Sequence, residues 1–310
     1  MRRRALQKRL VRLLATVWLI VTIAFFCAYR LPGDPARMIL GQRATPESLR
    51  DFRQKMGLDQ PVVFQYVKFA ERVLKMDLGD SLVQRRPVAS LIAERGGQTL
   101  MLVSASLIAL ALFGMAAPIL LHLLRRPLVE RAYSSWWIAL AIAPPYVLSI
   151  LALLAFAGWL RWVPVTFDPT LPWAWLLPAI VLAAYPAAVT IRLLNSQIEA
   201  ALQSPYVRAA RAYGYGEFDI LLRFAVPNAI TPSVAAFANG LAFFVTGSFF
   251  VEVVFGIGGL GTLAYEAVRN KDVPVLVGLS IIFAVAICSI STGLQVLLEC
   301  LDPRVRRQHA

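Results

Sequence analysis

TLMLVSASLIALALFGMAAPILL, residues 99–121, runs without one charged side chain. A helix of about 20 apolar residues crosses a hydrocarbon core of about 30 Å, so this stretch is long enough to span a bilayer. Five more blocks of the same kind run roughly from Val11 to Tyr29, Ser135 to Trp159, Leu171 to Leu194, Pro232 to Val254 and Pro274 to Glu299. All six are continuous apolar runs, whereas a membrane barrel would show strands of about ten residues that alternate in polarity. The expected fold class is therefore an all-α integral membrane protein of about six transmembrane helices.

Composition agrees. Of the 310 residues 58% are hydrophobic and 16% charged, with a mean hydropathy of +0.65. The charges bunch between the apolar blocks, as a bilayer requires when a charge at its centre costs roughly 2.5–3.5 kcal/mol. The net charge of +13 first raises a nucleic-acid partner. The basic clusters at Arg2–Arg12, Arg125–Arg131, Arg208–Arg223 and Arg304–Arg307 each flank an apolar run, however, and this is the positive-inside pattern. The partner it implies is membrane lipid, and no nucleic acid is expected.

The same clusters set topology. Both termini and the connection from Asn195 to Thr231 should be cytoplasmic, leaving residues 31–97 extracytoplasmic, since long loops cross with little regard to charge. The first apolar block lacks a small-x-small cleavage site and reads as an uncleaved anchor. Cys27, Cys288 and Cys300 show no C-x-x-C spacing, and His122 and His309 have no neighbouring ligands, so no metal site is expected.

The chain divides into a cytoplasmic start and first helix (1–30), an extracytoplasmic segment (31–97), a five-helix core (98–301) containing the 195–231 loop, and a cytoplasmic tail (302–310). In the second part Pro46, Glu47 and Ser48 open a run with Leu49, Phe52 and Met56 at helical spacing, and Gly57 supplies a stop. Phe64, Val67, Val73 and Leu74 then mark a second short amphipathic helix. Pro118, Pro144, Pro145, Pro178 and Pro186 lie inside the apolar blocks, either kinking helices around a pathway or as the prolines common in membrane helices.

The most informative polar stretch is SPYVRAARAYGYGEFDILLRFAVPNAITP, residues 204–232. Tyr206, Ala209, Ala210 and Tyr213 share one face of a short helix, Arg208 and Arg211 lie on another side, and Gly214 and Gly216 break it. Small Ala permits close approach while Tyr supplies contact area at low entropic cost, a composition suited to entering a partner's cleft.

With Arg208-Ala209-Ala210, Gly214 four positions on, and Phe224 and Val226-Pro227 ten or more beyond, this loop resembles the signature of ABC importer permeases. The family has Glu-Ala-Ala, Gly and Ile-x-Leu-Pro at those spacings, so Arg208 replaces an acid. LPGDPAR (31–37), MGLDQPVVFQY (56–66), DLGDSL (77–82), RRPVASLIAER (85–95), VEVVFGIGGLG (251–261) and LDPRVRR (301–307) are similar to the oligopeptide, dipeptide and nickel branch, in its order along nearly the whole chain. Residues 96–98 read Gly-Gly-Gln where that branch has something like Leu-Pro-Ala.

The resemblance implies a type I importer permease working beside a second, homologous permease chain, two cytoplasmic ATPase subunits and an extracytoplasmic solute-binding protein, in a bacterial inner membrane. It implies a coupling role for Tyr206, Arg208, Ala209, Ala210, Tyr213, Gly214 and Pro227. No cofactor is expected on this chain, since ATP and Mg would be used by the ATPases. No Gly-Lys-Ser/Thr occurs, so the chain has no phosphate-cradling loop of its own and is not expected to be an enzyme. Gly256, Gly258 and Gly261 satisfy G-x-G-x-x-G but follow a membrane span, which favours a turn over a dinucleotide site.

Peptides are the expected cargo, with nickel or a metal-chelator complex as the alternative. An ion-coupled secondary transporter and a purely structural membrane subunit are the competing readings from other classes. For the pathway, Asn239, Phe243, Thr246 and Phe250 share a face of the fifth span. Glu252 near its outer end either faces a cavity or snorkels to the interface.

Overall fold

The computed structural model describes residues 11, 14–23, 25–26, 44–56, 59–75 and 77–301. The basic residues at 2–4, 8–9 and 12, the LPGDPAR stretch, Gly57, and the tail from residue 302 with its cluster at 304–307 lie outside them. Every extended element among the described residues is helical; the one β contact is an isolated bridge between Asp80 and Pro87. In chain order the helices are α1 (Leu14–Ile23), α2 (Pro46–Met56), α3 (Val62–Leu74), α4 (Val88–Leu123), α5 (Pro127–Ile142), α6 (Pro145–Leu153), α7 (Leu176–Leu202), α8 (Pro205–Ala212), α9 (Val226–Phe255), α10 (Leu260–Arg269) and α11 (Val273–Leu301).

Among the described residues three helices can cross a membrane by length and composition: α4, α7 with its preceding turn, and α11. The count reaches five if each of two broken pairs is one span, and α1 is a shorter apolar helix. The continuous third span expected from Ser135 to Trp159 is one of the broken pairs. The chain turns by 107° between α5 and α6. Ala143 (ψ 133°) and Pro144 (ψ 149°) are extended, because a residue ahead of proline is excluded from the helical region. Pro145 then restarts the helix in its first turn, where a missing N–H costs nothing.

The described chain forms two compact units: residues 98–257 with 289 onward, and the residues before 98 with 258–288. In the first unit the core gathers around α7. Every residue from Val181 to Ile191 is buried except Tyr185 and Val189. Helix α9 packs along α7 in an antiparallel register set by three pairs: Gly240 against Pro186, Phe243 against Tyr185, and Gly247 against Leu182. A Cβ on Gly240 would stand 3.0 Å from Pro186 Cβ, and one on Gly247 would stand 2.8 Å from Leu182 Cδ1. In lipid, where apolar area gives no driving force, close approach over small residues is what holds helices together.

Helix α4 contains a π-helical segment, Leu110–Ala116. Widening the helix displaces its hydrogen-bond ladder, and the Phe113 carbonyl accepts the Tyr133 hydroxyl of α5 at 2.5 Å.

The second unit packs Val88, Leu91, Leu260, Leu263, Ala267, Val275 and Leu279 into a core of its own. Next to it, Asp272 is 4% exposed and accepts three hydrogen bonds from the DLGDSL stretch and its neighbour: Ser81 Oγ at 2.5 Å, Leu82 N–H at 3.1 Å and Val83 N–H at 3.3 Å. Elsewhere in this unit Tyr66 of α3 shares a hydrogen bond with Thr22 of α1 at 2.7 Å, and Phe69 stacks on Phe25.

Candidate functional site

The loop between α7 and α9 is built as a hairpin. Extended Ser204 and first-turn Pro205 start α8. Gly214, at φ +86°, ends it with two bonds, Gly214 N–H to the Arg211 carbonyl at 3.0 Å and Tyr215 N–H to the Ala210 carbonyl at 3.2 Å. These are the paired closures of a Schellman cap, which requires a left-handed residue at this position. Beyond it a π-helical segment, Ile220–Ala225, leads into α9, and Pro227 lies exposed in the first turn of that helix.

Val207 and Ala210 are buried against Ile220, with Leu202 and Phe224 packed around them. Tyr206, Arg208, Ala209 and Tyr213 are exposed, Tyr213 to 86%. The face expected from spacing is therefore divided. Ala210 turns inward and belongs to this chain's own packing, while Tyr206, Ala209 and Tyr213 form the open row.

One residue that sequence reasoning passed over fixes the hairpin. Glu217 accepts from Arg211 Nε at 2.7 Å and Nη2 at 3.2 Å, a two-pronged ion pair across the Gly214–Gly216 turn. The hydrogen bond from Arg211 holds the Glu217 carboxyl below its usual range; burial opposes it, and the charges of Arg211 and then Arg125 add to the lowering. The same bond raises the Arg211 guanidinium. A spacing of six across two glycines is no helical pattern, so periodicity carried no signal for this pair.

Of the expected pathway residues, Phe243 and Thr246 lie on one line of α9, and Glu252 has a different setting. Phe243 is half-buried and stacks on Tyr185 with ring centroids 5.0 Å apart. Thr246 is exposed and Oγ1 donates to the Phe243 carbonyl. The side chain of Asn239 lies outside the described ones. Glu252 is at neither of its expected places: it is fully enclosed and accepts from Thr99 Oγ1 at 2.7 Å. Gly256 closes α9 in a left-handed turn, in keeping with a turn at the G-x-G-x-x-G stretch.

Residues 98–307 match the family described as "Binding-protein-dependent transport system inner membrane component", and residues 2–103 match the N-terminal family of the same membrane components. The chain belongs to this family. The glutathione transport system permease protein of Escherichia coli is 33% identical to this permease over 300 residues, covering 96% of this chain and 97% of the relative. Its counterpart from Salmonella paratyphi A has the same identity and coverage. Among solved structures, an amino acid ABC transporter described "with histidines" resembles the permease with a TM-score of 0.54, 19% identity, and coverage of 68% of this chain and 94% of that one. That likeness speaks for the fold alone.

Membership makes the chain a membrane component of an ABC importer, seated in a bacterial inner membrane, with ATP hydrolysed by separate subunits. A partner permease, ATPases and a substrate-binding protein belong to such systems in general. The ion-coupled secondary transporter is thereby set aside.

Proposed function

We propose that this permease forms half of the translocation pathway for di- or oligopeptides, and that α8 docks in a groove of a cytoplasmic ATPase subunit. The assembly has a second, homologous permease chain, two ATPases and an extracytoplasmic binding protein. Both termini and residues 195–231 face the cytoplasm. The observation that carries this reading is the divided α8 helix. Val207 and Ala210 anchor it to its own chain, and Tyr206, Ala209 and Tyr213 stand open on the other side. A helix so anchored passes a push on its open row to Ile220 and thence into α9. The names of the relatives, which specify glutathione, favour a small peptide over nickel.

Ala209→Trp tests the docking. Overpacking a close contact costs about 1–3 kcal/mol. Membrane insertion should be unchanged, whereas ATPase co-purification and peptide uptake should fall roughly tenfold or more. Normal uptake at wild-type expression would end this reading.

A further inference from the structure

One surface of the first unit differs in chemistry from the rest. On α7, the most enclosed helix, the open positions Tyr185, Val189 and Arg192 are spaced by four and three and lie on one line. Tyr185 is 50% and Val189 42% exposed. On the neighbouring line of α9, Phe243 stacks on Tyr185, and about two turns further Phe250 meets Tyr146 of α6 with ring centroids 6.1 Å apart. The antiparallel register sets position 239 level with Val189. The face therefore runs from Tyr146 and Phe250, past Tyr185 and Phe243, to Arg192, over about 20 Å at 1.5 Å per residue.

Lipid is a poor occupant for it. The open side of α4 has the composition that lipid accepts: Leu100, Met101, Ile108 and Leu112 are apolar, and Ser104 is the polar residue among them. The α7 line instead carries a phenol hydroxyl and a guanidinium, and Tyr146 adds a second hydroxyl. Among the described residues no carboxylate forms an ion pair with Arg192. An ionised group on a spanning helix faces a water-filled cavity, a partner or an interface.

We propose that this face is the wall past which cargo moves, and that Arg192 receives a carboxylate of that cargo; the inference rests on the peptide-import reading above. Ring faces contact side chains of many shapes without demanding one. A guanidinium does the opposite, because its planar fork matches a carboxylate in two parallel hydrogen bonds. Together they suit a ligand variable in its side chains and constant in one end group. The class that fits is the short peptide with a free C-terminal carboxylate. Tyr185 and Phe243 are the tolerant part of the site and Arg192 the selective part.

The test uses the whole importer reconstituted in vesicles with its binding protein and ATPases, with trialanine, glutathione and trialanine amide as cargo at saturating binding protein. Arg192→Gln should lower the maximal rate for the two free acids by roughly tenfold while leaving the amide rate within about twofold. Arg192→Lys, which keeps the charge, should recover part of the loss. ATPase stimulation by unliganded binding protein reports assembly and should be unchanged in both. In a chain whose three cysteines are replaced by serine, Val189→Cys should react with a water-soluble thiol reagent, more slowly when trialanine is present. An unchanged acid-to-amide ratio in Arg192→Gln, or reaction of Val189→Cys with membrane-permeant reagents alone, overturns the inference while peptide import stands. Failure of the wild-type importer to move trialanine or glutathione overturns peptide import and the inference together.

Discussion

At Gly214 backbone geometry decides which residues the position tolerates. Its φ of +86° is strained for any side chain, yet a Cβ there would meet nothing within 4 Å. Strain can thus be separated from crowding. A left-handed conformation costs an L-residue roughly 1–2 kcal/mol, and Asn tolerates it better than Val. Replacement of Gly214 by Asn, Ala and Val should weaken ATPase co-purification in that order, at constant membrane level; equal loss for all three would point to crowding by the partner instead. Ala209 and Ala210 form a matching contrast. Ala210→Trp should lower the melting temperature of the isolated permease in detergent, because Ala210 is enclosed with Val207 and Ile220. Ala209→Trp should not. Gly240→Val should also destabilise the isolated chain, by about 1–3 kcal/mol, since Pro186 Cβ is 3.0 Å from where its own Cβ would stand and a proline ring cannot step aside.

Among the elements, the α8 hairpin is bridged by the Arg211–Glu217 pair. The Glu217 carboxyl is depressed in the folded hairpin, so its contribution is complete above the ordinary value of 4.5 and is lost as pH falls through the lower folded value. Uptake driven at about pH 8 and at about pH 6 should therefore show no loss traceable to this pair. Glu217→Gln should reduce coupling at both, by no more than about fivefold, because exposed pairs are heavily screened. A loss in the wild type at the lower pH that Glu217→Gln abolishes would contradict this. How much of the hairpin was legible follows from the same residues. Spacing displayed the Tyr206, Ala209 and Tyr213 row and the glycine stop. It could not show that Ala210 turns inward, since its partners Ile220 and Phe224 lie beyond the turn, where periodicity is reset. The break between α5 and α6 was hidden differently: Pro144 and Pro145 were visible, but hydropathy counts apolar residues without regard to direction.

Across the whole molecule, fold class was the most legible property, because lipid leaves backbone groups no partner but their own helix and long uncharged runs have few other uses. The seat of Glu252 was not legible. Its enclosure depends on Thr99, more than 150 residues away in sequence, and no local pattern records such a meeting. The purified chain should hydrolyse no ATP once co-purifying ATPases are removed. In cysteine-free chain, Glu47→Cys should be labelled from outside intact inner-membrane vesicles of native orientation, and labelling only after permeabilisation would reverse the proposed topology.

The Asp272 cradle has a consequence for how the permease is made. Leu82 N–H waits for a carboxylate that is translated 190 residues later, roughly 10–40 s at ribosomal speeds of about 5–20 residues per second. During that interval the DLGDSL stretch has emerged from the ribosome without its acceptor. Nascent chains halted before residue 272 should thus be open to quality-control proteases in the 77–88 stretch, and release of the last helix would act as the step that closes the cut site.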